Sequence, residues 1–394
     1  MTAPDEHPLT GPGLDYGPAN DADGTRVVRA GLPADEPYEP PLPGPVFAAH
    51  YHLPDDAALD GYVYGRDANP TWSRLERALA ELETPGDPDT EVISFSSGMG
   101  AISAVLLSRL RPGDVAVLPA DGYNLLAALR TRLEEHGVRV RTAPTAADAQ
   151  LAELSGAKLL WLETPCNPSL DVCDIARLAD AAHAEGALVA VDNTLATPLG
   201  QRPLHLGADL SVASGTKGLT GHGDVLLNYV ACRDPELAGS VRAWRKTVGA
   251  IPGPMETWLA HRSLATLELR ARRQAGNALA LAEALTARPE VRDVRHPGLP
   301  GDPAHATAVR QMTRYGCLVS FTLPDRAHAE RFLAALRLVG QATSFGGVRS
   351  TAERRARWGG DEVPEGFIRL SAGVEDAADL VTDVRHALDV AAGG

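Results

Sequence analysis

The chain has 394 residues, 44% hydrophobic and 22% charged, a balance that suits roughly two to three folded domains and excludes wholesale disorder or a fibrous repeat. Its formal net charge is −14, and its arginine clusters at 270–273 and 354–357 read as solvated surface, so nucleic acid is not an expected partner. The N-terminus is acidic and carries no apolar stretch, no run approaches a membrane span, and the four cysteines form neither a CxxC pair nor a metal-ligand spacing. A cytoplasmic protein that binds no metal and no membrane is expected.

Residues 1–45 hold ten prolines and several glycines with little periodicity, which argues against regular helix or central strand. Residues 1–60 are read as a Pro-rich arm, either a disordered tail or a segment draped over a neighbour. From Pro70 the pattern changes: Trp72, Leu75, Leu79 and Leu82 recur at spacings of three and four, marking an amphipathic helix. A strand is expected near Glu91–Ser94. SSGMG at 96–100 then leads into the apolar helix AISAVLLSRL, closed by Pro112-Gly113, and DVAVLP at 114–119 reads as the next strand. KLLWLE at 158–163 and ALVAVD at 187–192 read as buried strands around a helix at Asp174–Glu185. Continuous apolar strands separated by amphipathic helices imply an α/β domain over 61–255, with a mostly parallel sheet covered on both faces. Beyond it, a helix from Thr257 toward Pro289, short strands at Cys317–Leu323 and helices at Ala327–Leu338 and Asp376–Val390 suggest a smaller α+β domain over 256–394.

In open α/β sheets, ligands bind at the carboxyl ends of strands. Glu163 opens the loop ETPCNP, Asp192 ends ALVAVD, and SGTKGLTGHGD follows the short run DLSVA at 209–213. Lys217, in that last segment, is one of only three lysines among 37 basic residues. Arginine is nearly always charged and useless as an amine nucleophile, so a lysine kept here is a candidate for its amine. Ser97, Gly98 and Met99 precede a helix, where backbone N–H groups can face an anion, and Ser214 and Thr216 could add hydroxyls. Neither a Walker A loop nor a G-x-G-x-x-G fingerprint occurs in the first unit, so the phosphate belongs to something smaller than a nucleotide. Lysine amine, strand-end carboxylate and phosphate cradle match what pyridoxal 5'-phosphate requires.

The chain resembles the cystathionine γ-synthase/γ-lyase family, the fold type I pyridoxal-phosphate enzymes of cysteine and methionine metabolism, over about residues 60–390. The resemblance rests on YGRDANPTWSRLE (64–76), FSSGMGAI (95–102), DGY (121–123), ETPCNP (163–168), VDNTLATP (191–198), SGTKGLTGHGD (214–224), SFGG (344–347) and IRLSAGVED (368–376). It implies that Lys217 holds the cofactor's aldehyde and shuttles protons. Asp192 would pair with the pyridine nitrogen, and Tyr123 would stack on the ring and act as acid/base near the leaving group. Ser97, Gly98, Met99, Ser214 and Thr216 would hold the phosphate, and Asn167 would sit by the cofactor hydroxyl. Arg369 would clamp the substrate α-carboxylate, with Ser344 nearby. Tyr64 and Arg66 would reach the phosphate of an adjacent subunit, making a dimer obligatory and a dimer of dimers, a homotetramer, the usual assembly.

The chain also departs from the family's pattern. Val63 stands where an acidic residue commonly precedes Tyr-x-Arg, and Arg349 stands where Glu commonly follows S-L-G-G. Both positions are expected at the distal end of the substrate, where Arg349 would favour a carboxylate over an ammonium. Tyr123-Asn124-Leu125 replaces Tyr-Gly-Gly-Thr, Ala128 lies near a usual arginine with Arg130 a possible substitute, and no cysteine follows the tyrosine as in methionine γ-lyases. ERRARWGGDEVPEG (353–366) replaces a His-Pro-Ala-x-x-Thr-His stretch. The implied activity is γ-lysis of L-cystathionine, a small amino-acid substrate, to cysteine, 2-oxobutanoate and ammonia. The alternatives are γ-replacement on an O-acylhomoserine, a specialised C–S lyase, or a cofactor-binding protein without activity.

Overall fold

The computed structural model describes residues 21–55 and 61–393. Of the expected arm, residues 1–20 and 56–60 lie outside the described residues. Within the described part, helix α1 (Asp23–Arg29) forms where no helix is expected. Its segment DGTRVVR lies between the prolines and contains none, and Val27 is buried against the body of the protein. Arg26 donates to Asp23 and to Glu81, and Arg202 donates to Asp23, so ion pairs fasten the helix down.

The first layer system runs α2 (Pro70–Glu83), β1 (Glu91–Phe95), α3 (Gly98–Arg109), β2 (Val115–Pro119), α4 (Leu125–Glu135) and β3 (Arg139–Ala143). It continues with β4 (Leu159–Glu163), α5 (Ile175–Ala184), β5 (Leu188–Asp192), the short α6 (Thr197–Gly200), β6 (Leu210–Ala213), β7 (Asn228–Cys232), α7 (Pro235–Val248) and α8 (Pro254–Leu264). Local sequence fixes several starts: the Asn69 side chain accepts from Thr71 N before Pro70 at the first turn of α2, and Asp174 caps α5. The seven strands form one sheet in the order β1-β7-β6-β5-β4-β2-β3. The run from β6 to β3 is parallel, while β7 is antiparallel to both its neighbours. Residues such as Leu159, Trp161 and Ala190 face one apolar core, and Leu160, Leu162 and Val191 face another, as a sheet covered on both sides requires.

The second layer system holds α9 (Leu267–Thr286), β8 (Arg292–Arg295), α10 (His305–Gln311), β9 (Leu318–Thr322) and α11 (Arg326–Ala335), then β10 (Gly340–Gln341), β11 (Thr351–Arg354), β12 (Phe367–Ser371) and α12 (Ala377–Ala392). Its five-stranded sheet has the order β10-β11-β12-β9-β8 and is mostly antiparallel. One face packs on α9, α11 and α12 through Leu281, Phe321, Phe332, Ile368 and Val384. The single helix expected from 257 toward 289 is instead two, α8 and α9, which serve different cores, and Arg270 of α9 bonds the carbonyl of Ser263 near the end of α8. Ala260 and Leu264 belong to a core beneath the first sheet, whereas Ala278 and Leu281 belong to the second. Among the described residues no helix is long and apolar enough to cross a membrane.

Candidate active site

Parallel pairing of β4, β5 and β6 brings three strand ends to one edge, and register sets Glu163 opposite Asp192. Asp192 accepts the Thr194 N–H at 3.0 Å. Glu163 accepts the N–H of Tyr123 at 2.6 Å and that of Asn167 at 3.0 Å, so one carboxyl group anchors two loops. Two buried acids side by side cannot both ionise cheaply. Burial, then the charge of Asp192, pushes Glu163 up to about 8. Burial also raises Asp192, opposed by the Thr194 hydrogen bonds and the charge of Lys217.

The lysine loop leaves the end of β6 and is gripped from two sides. Internally, Lys217 N donates to Ser214 O at 3.2 Å and Gly221 N to Lys217 O at 2.9 Å. From α9, the buried Arg270 donates to Gly218 O at 2.6 Å and Leu219 O at 2.9 Å, with no carboxylate partner among the described residues. From the other side, Gly346 at φ +79° lies so close that a Cβ there would sit 2.4 Å from Gly218 N, which only glycine avoids. The Lys217 amine donates to Ser344 Oγ at 2.7 Å, and Ser344 is itself held in the left-handed region at φ +75°. Burial, then the charge of Arg369, lowers the pKa of Lys217, favouring the neutral amine that a nucleophile or base needs.

These groups face one cavity of about 640 Å³. Ser97, Gly98 and Met99 line it at the start of α3, where the first-turn N–H groups have no intrahelical acceptor, although the Ser97 hydroxyl is occupied in capping Gly100 N. Gly98 lies beside Asn228 and Ser214, and Asn228 Oδ1 is buried without a hydrogen-bond partner among the described residues. Thr216 also lines the cavity, but its hydroxyl is engaged by the Leu227 carbonyl and N–H. A phosphate-bearing aldehyde with a pyridine ring fits this chemistry. Helix-start N–H groups and the Asn228 amide Nδ2 beside Gly98 are donors suited to a phosphate, the Lys217 amine suits the aldehyde, and the strand-end carboxylate of Asp192 suits the ring nitrogen.

Opposite stands the second sheet. Arg369 on β12 donates to Asn167 Oδ1 at 2.7 Å and Ser344 O at 2.9 Å, and it pairs with Glu353, its register partner on β11. Glu353 also accepts from Arg355 at 2.9 Å and from Trp358 Nε1 at 2.8 Å, and Arg355 pairs with Asp361. Arg355 and Trp358 line the cavity beside Tyr123. The expectation that 270–273 and 354–357 are solvated surface is therefore wrong for Arg270, Arg354 and Arg355, which are 5%, 7% and 7% exposed. Carbonyl and carboxylate partners replace the water these guanidinium groups would otherwise require. Tyr123 is half-exposed at the cavity; burial and the charges of Glu163 and Asp192 raise its pKa and keep its hydroxyl protonated, with Arg355 opposing.

Lys217, Asp192, Tyr123, Asn167, Arg369 and Ser344 thus converge, as do Ser97, Gly98, Met99, Ser214 and Thr216. Val63, Tyr64, Arg66 and Arg349 are not among the residues that line this cavity. Tyr64, Arg66 and Arg349 are exposed, and Arg66 lies over the Tyr64 ring at 5.1 Å. Sequence reasoning gave no role to Arg270, Asn228, Glu353 or Arg355. For Arg270, Glu353 and Arg355 the one visible signal was arginine and glutamate crowded together in segments otherwise rich in small or apolar residues; Asn228 carried none.

Residues 46–389 match the family of Cys/Met metabolism PLP-dependent enzymes. The chain is 69% identical, over 93% of each sequence, to a protein of Streptomyces coelicolor whose provisional name is cystathionine γ-lyase. It is 38% identical to the cystathionine γ-synthase of Mycobacterium tuberculosis, over 92% of this chain and 96% of that one. Among solved structures it is 40% identical to CalE6 of Micromonospora echinospora, described once as a methionine γ-lyase and once as a cystathionine γ-lyase. The first of these superimposes with a TM-score of 0.87, over 94% of this chain and 99% of that one.

Proposed function

The chain belongs to the family of Cys/Met metabolism PLP-dependent enzymes, with the fold type I architecture, and from that premise we propose that it cleaves L-cystathionine by γ-elimination to cysteine, 2-oxobutanoate and ammonia. The observation that carries the proposal is the meeting of Lys217, Asp192, Tyr123 and Arg369 around one cavity. The 69% identity to a relative named for γ-lysis favours this over γ-replacement, the reaction named for relatives at 38%.

Lys217, Asp192, Tyr123, Asn167, Gly98, Met99, Ser214 and Asn228 would hold pyridoxal phosphate. When bound, the cofactor supplies an electron sink for negative charge at the carbon that bears the substrate amine. Arg369 orients the α-carboxylate, using an Nε–H that has no partner among the described residues. Lys217, its pKa lowered by burial and by Arg369, takes the proton from Cα and passes protons along the same face. The protonated Tyr123 hydroxyl gives a proton to the departing sulfur, and Glu163 holds that loop in place through the Tyr123 N–H. Asp192, at the end of β5, would keep a proton on the cofactor's ring nitrogen.

We further place the protein in the cytoplasm as a homotetramer of two dimers. Tyr64 and Arg66, exposed in one protomer, would complete the neighbour's phosphate site, with residues 61–255 and 256–394 as the two domains. Mass spectrometry of products from cofactor-loaded enzyme and L-cystathionine tests the central proposal. Cysteine with 2-oxobutanoate is expected; homocysteine with pyruvate, or no turnover, would overturn it.

A further inference from the structure

Glu353 presents a difficulty for a carboxylate-binding site. Its Oε1 bonds Arg369, the guanidinium that has to receive the substrate carboxylate, and Glu353 is 2% exposed. Left to itself, a buried carboxylate on that arginine would consume its charge and repel the incoming anion. The same Oε1 also accepts from Arg355 Nη1 at 2.9 Å, and Oε2 accepts from Trp358 Nε1 at 2.8 Å. Arg355 is fixed from behind, its Nε 2.6 Å and its Nη2 2.5 Å from Asp361 Oδ2. Thr343 Oγ1 adds a longer contact of 3.4 Å to Glu353 Oε1.

The geometry points to Arg355 as a positioning residue that acts through Glu353: it is the standing counter-ion of that carboxylate, and it leaves the charge of Arg369 available for the substrate's α-carboxylate. With Arg355 in place, Glu353 works as a shared acceptor that aims the Arg369 guanidinium. When the substrate carboxylate arrives, Glu353 still has a cation and an indole N–H to satisfy it. Without Arg355, Arg369 is the one cation in contact with Glu353 among the described residues, and substrate has to compete with Glu353 for it. With Arg355 in place, Arg355 and Arg369 balance Glu353 and Asp361 and the cluster is neutral; without Arg355 it carries a surplus negative charge that repels an incoming carboxylate. This inference rests on reading Arg369 as the carboxylate clamp, but not on which thioether is cleaved.

The experiment is calorimetric binding of L-norleucine, which has the α-carboxylate and no leaving group, to cofactor-loaded wild type, Arg355→Met, Glu353→Gln and Arg355→Met/Glu353→Gln. Steady-state kinetics with L-cystathionine accompany it. Arg355→Met should weaken norleucine binding and raise KM by about 10- to 100-fold, with kcat changed by less than about threefold. The double variant should return to within about fivefold of wild type, because a neutral glutamine needs no counter-ion. A merely structural role for Arg355 would give no such rescue. A double variant as weak as Arg355→Met, or norleucine binding unchanged in Arg355→Met, would overturn the inference. So would an effect on cystathionine alone, which would make Arg355 a contact for the distal end. If Arg355→Met does not fold, Glu353→Gln alone decides: binding at least as tight as wild type supports the inference, and a tenfold loss contradicts it. Wild type that binds norleucine but leaves cystathionine uncleaved would sink the γ-lyase reading and leave this one standing.

Discussion

The two sheets deliver their functional groups in different ways. The seven-stranded sheet contributes single residues at the ends of parallel strands: Glu163 from β4, Asp192 from β5, and Lys217 just beyond β6. The five-stranded sheet contributes an ionic cluster in which Arg369, Glu353, Arg355 and Asp361 have meaning only together. Strand-end residues are positioned by backbone pairing, so their geometry survives changes in neighbouring side chains. A charge cluster is positioned by its own members, so replacing one member changes the demands on all the others. Cofactor handling on the first sheet and carboxylate binding on the second is the division this difference implies, with Asn167–Arg369 and Lys217–Ser344 among the hydrogen bonds that join them.

The largest effect that could break this comparison is on the first sheet. Lys217→Ala should lower turnover by about ten-thousandfold or more, measured under saturating substrate, because no other lysine lines the cavity. On the second sheet, Arg369→Ala should cost about 100-fold in kcat/KM, chiefly through KM, as expected for loss of charge-assisted bonds to a carboxylate. A comparable drop in kcat at saturation would mean that the two sheets are not separable in function.

Arg270→Met should act between these regions. It removes the donors to Gly218 and Leu219 and frees the lysine loop, so amide hydrogen exchange should rise across residues 218–221 while α12 stays protected. Unchanged exchange there would deny that Arg270 positions the loop.

The smallest effect concerns stability. Glu83 is fully buried behind the first sheet, accepts from Tyr229 Oη at 2.5 Å and from Ser211 Oγ at 3.1 Å, and burial pushes it up to about 7. The native state thus holds a proton that the unfolded chain releases above an ordinary carboxyl pKa of about 4.5. Its stabilisation is fully present below that value and is lost as pH rises through about 7. Denaturant unfolding at pH 5 and pH 8 should show wild type losing on the order of 1–3 kcal/mol relative to Glu83→Gln, which carries no titrating proton.

The same contrast explains what was legible in the sequence. Apolar runs bounded by glycine and proline were enough to find β4, β5 and β6, and strand-end logic then isolated Asp192 and Lys217 before any family was considered. The second sheet gives no such handle. Arg355 in RRARW looks like surface charge, and its burial depends on Glu353 and Asp361, which approach through antiparallel pairing and a turn. Helix α1 escaped for a related reason, because its stability comes from Glu81 and Arg202, far away in the chain. Arg349 differs from both: a motif position suggests a substrate contact, and its side chain is exposed and outside the cavity lining of this protomer.

The division of labour is tested most directly by the visible absorption spectra of Lys217→Ala and Arg369→Ala after loading with pyridoxal phosphate and removal of the excess. Arg369→Ala should keep the yellow band of the lysine-bound cofactor at wild-type intensity, and Lys217→Ala should lose it. An Arg369→Ala protein that is colourless, or a Lys217→Ala protein that keeps the wild-type band, would contradict the assignment of cofactor and substrate to separate sheets.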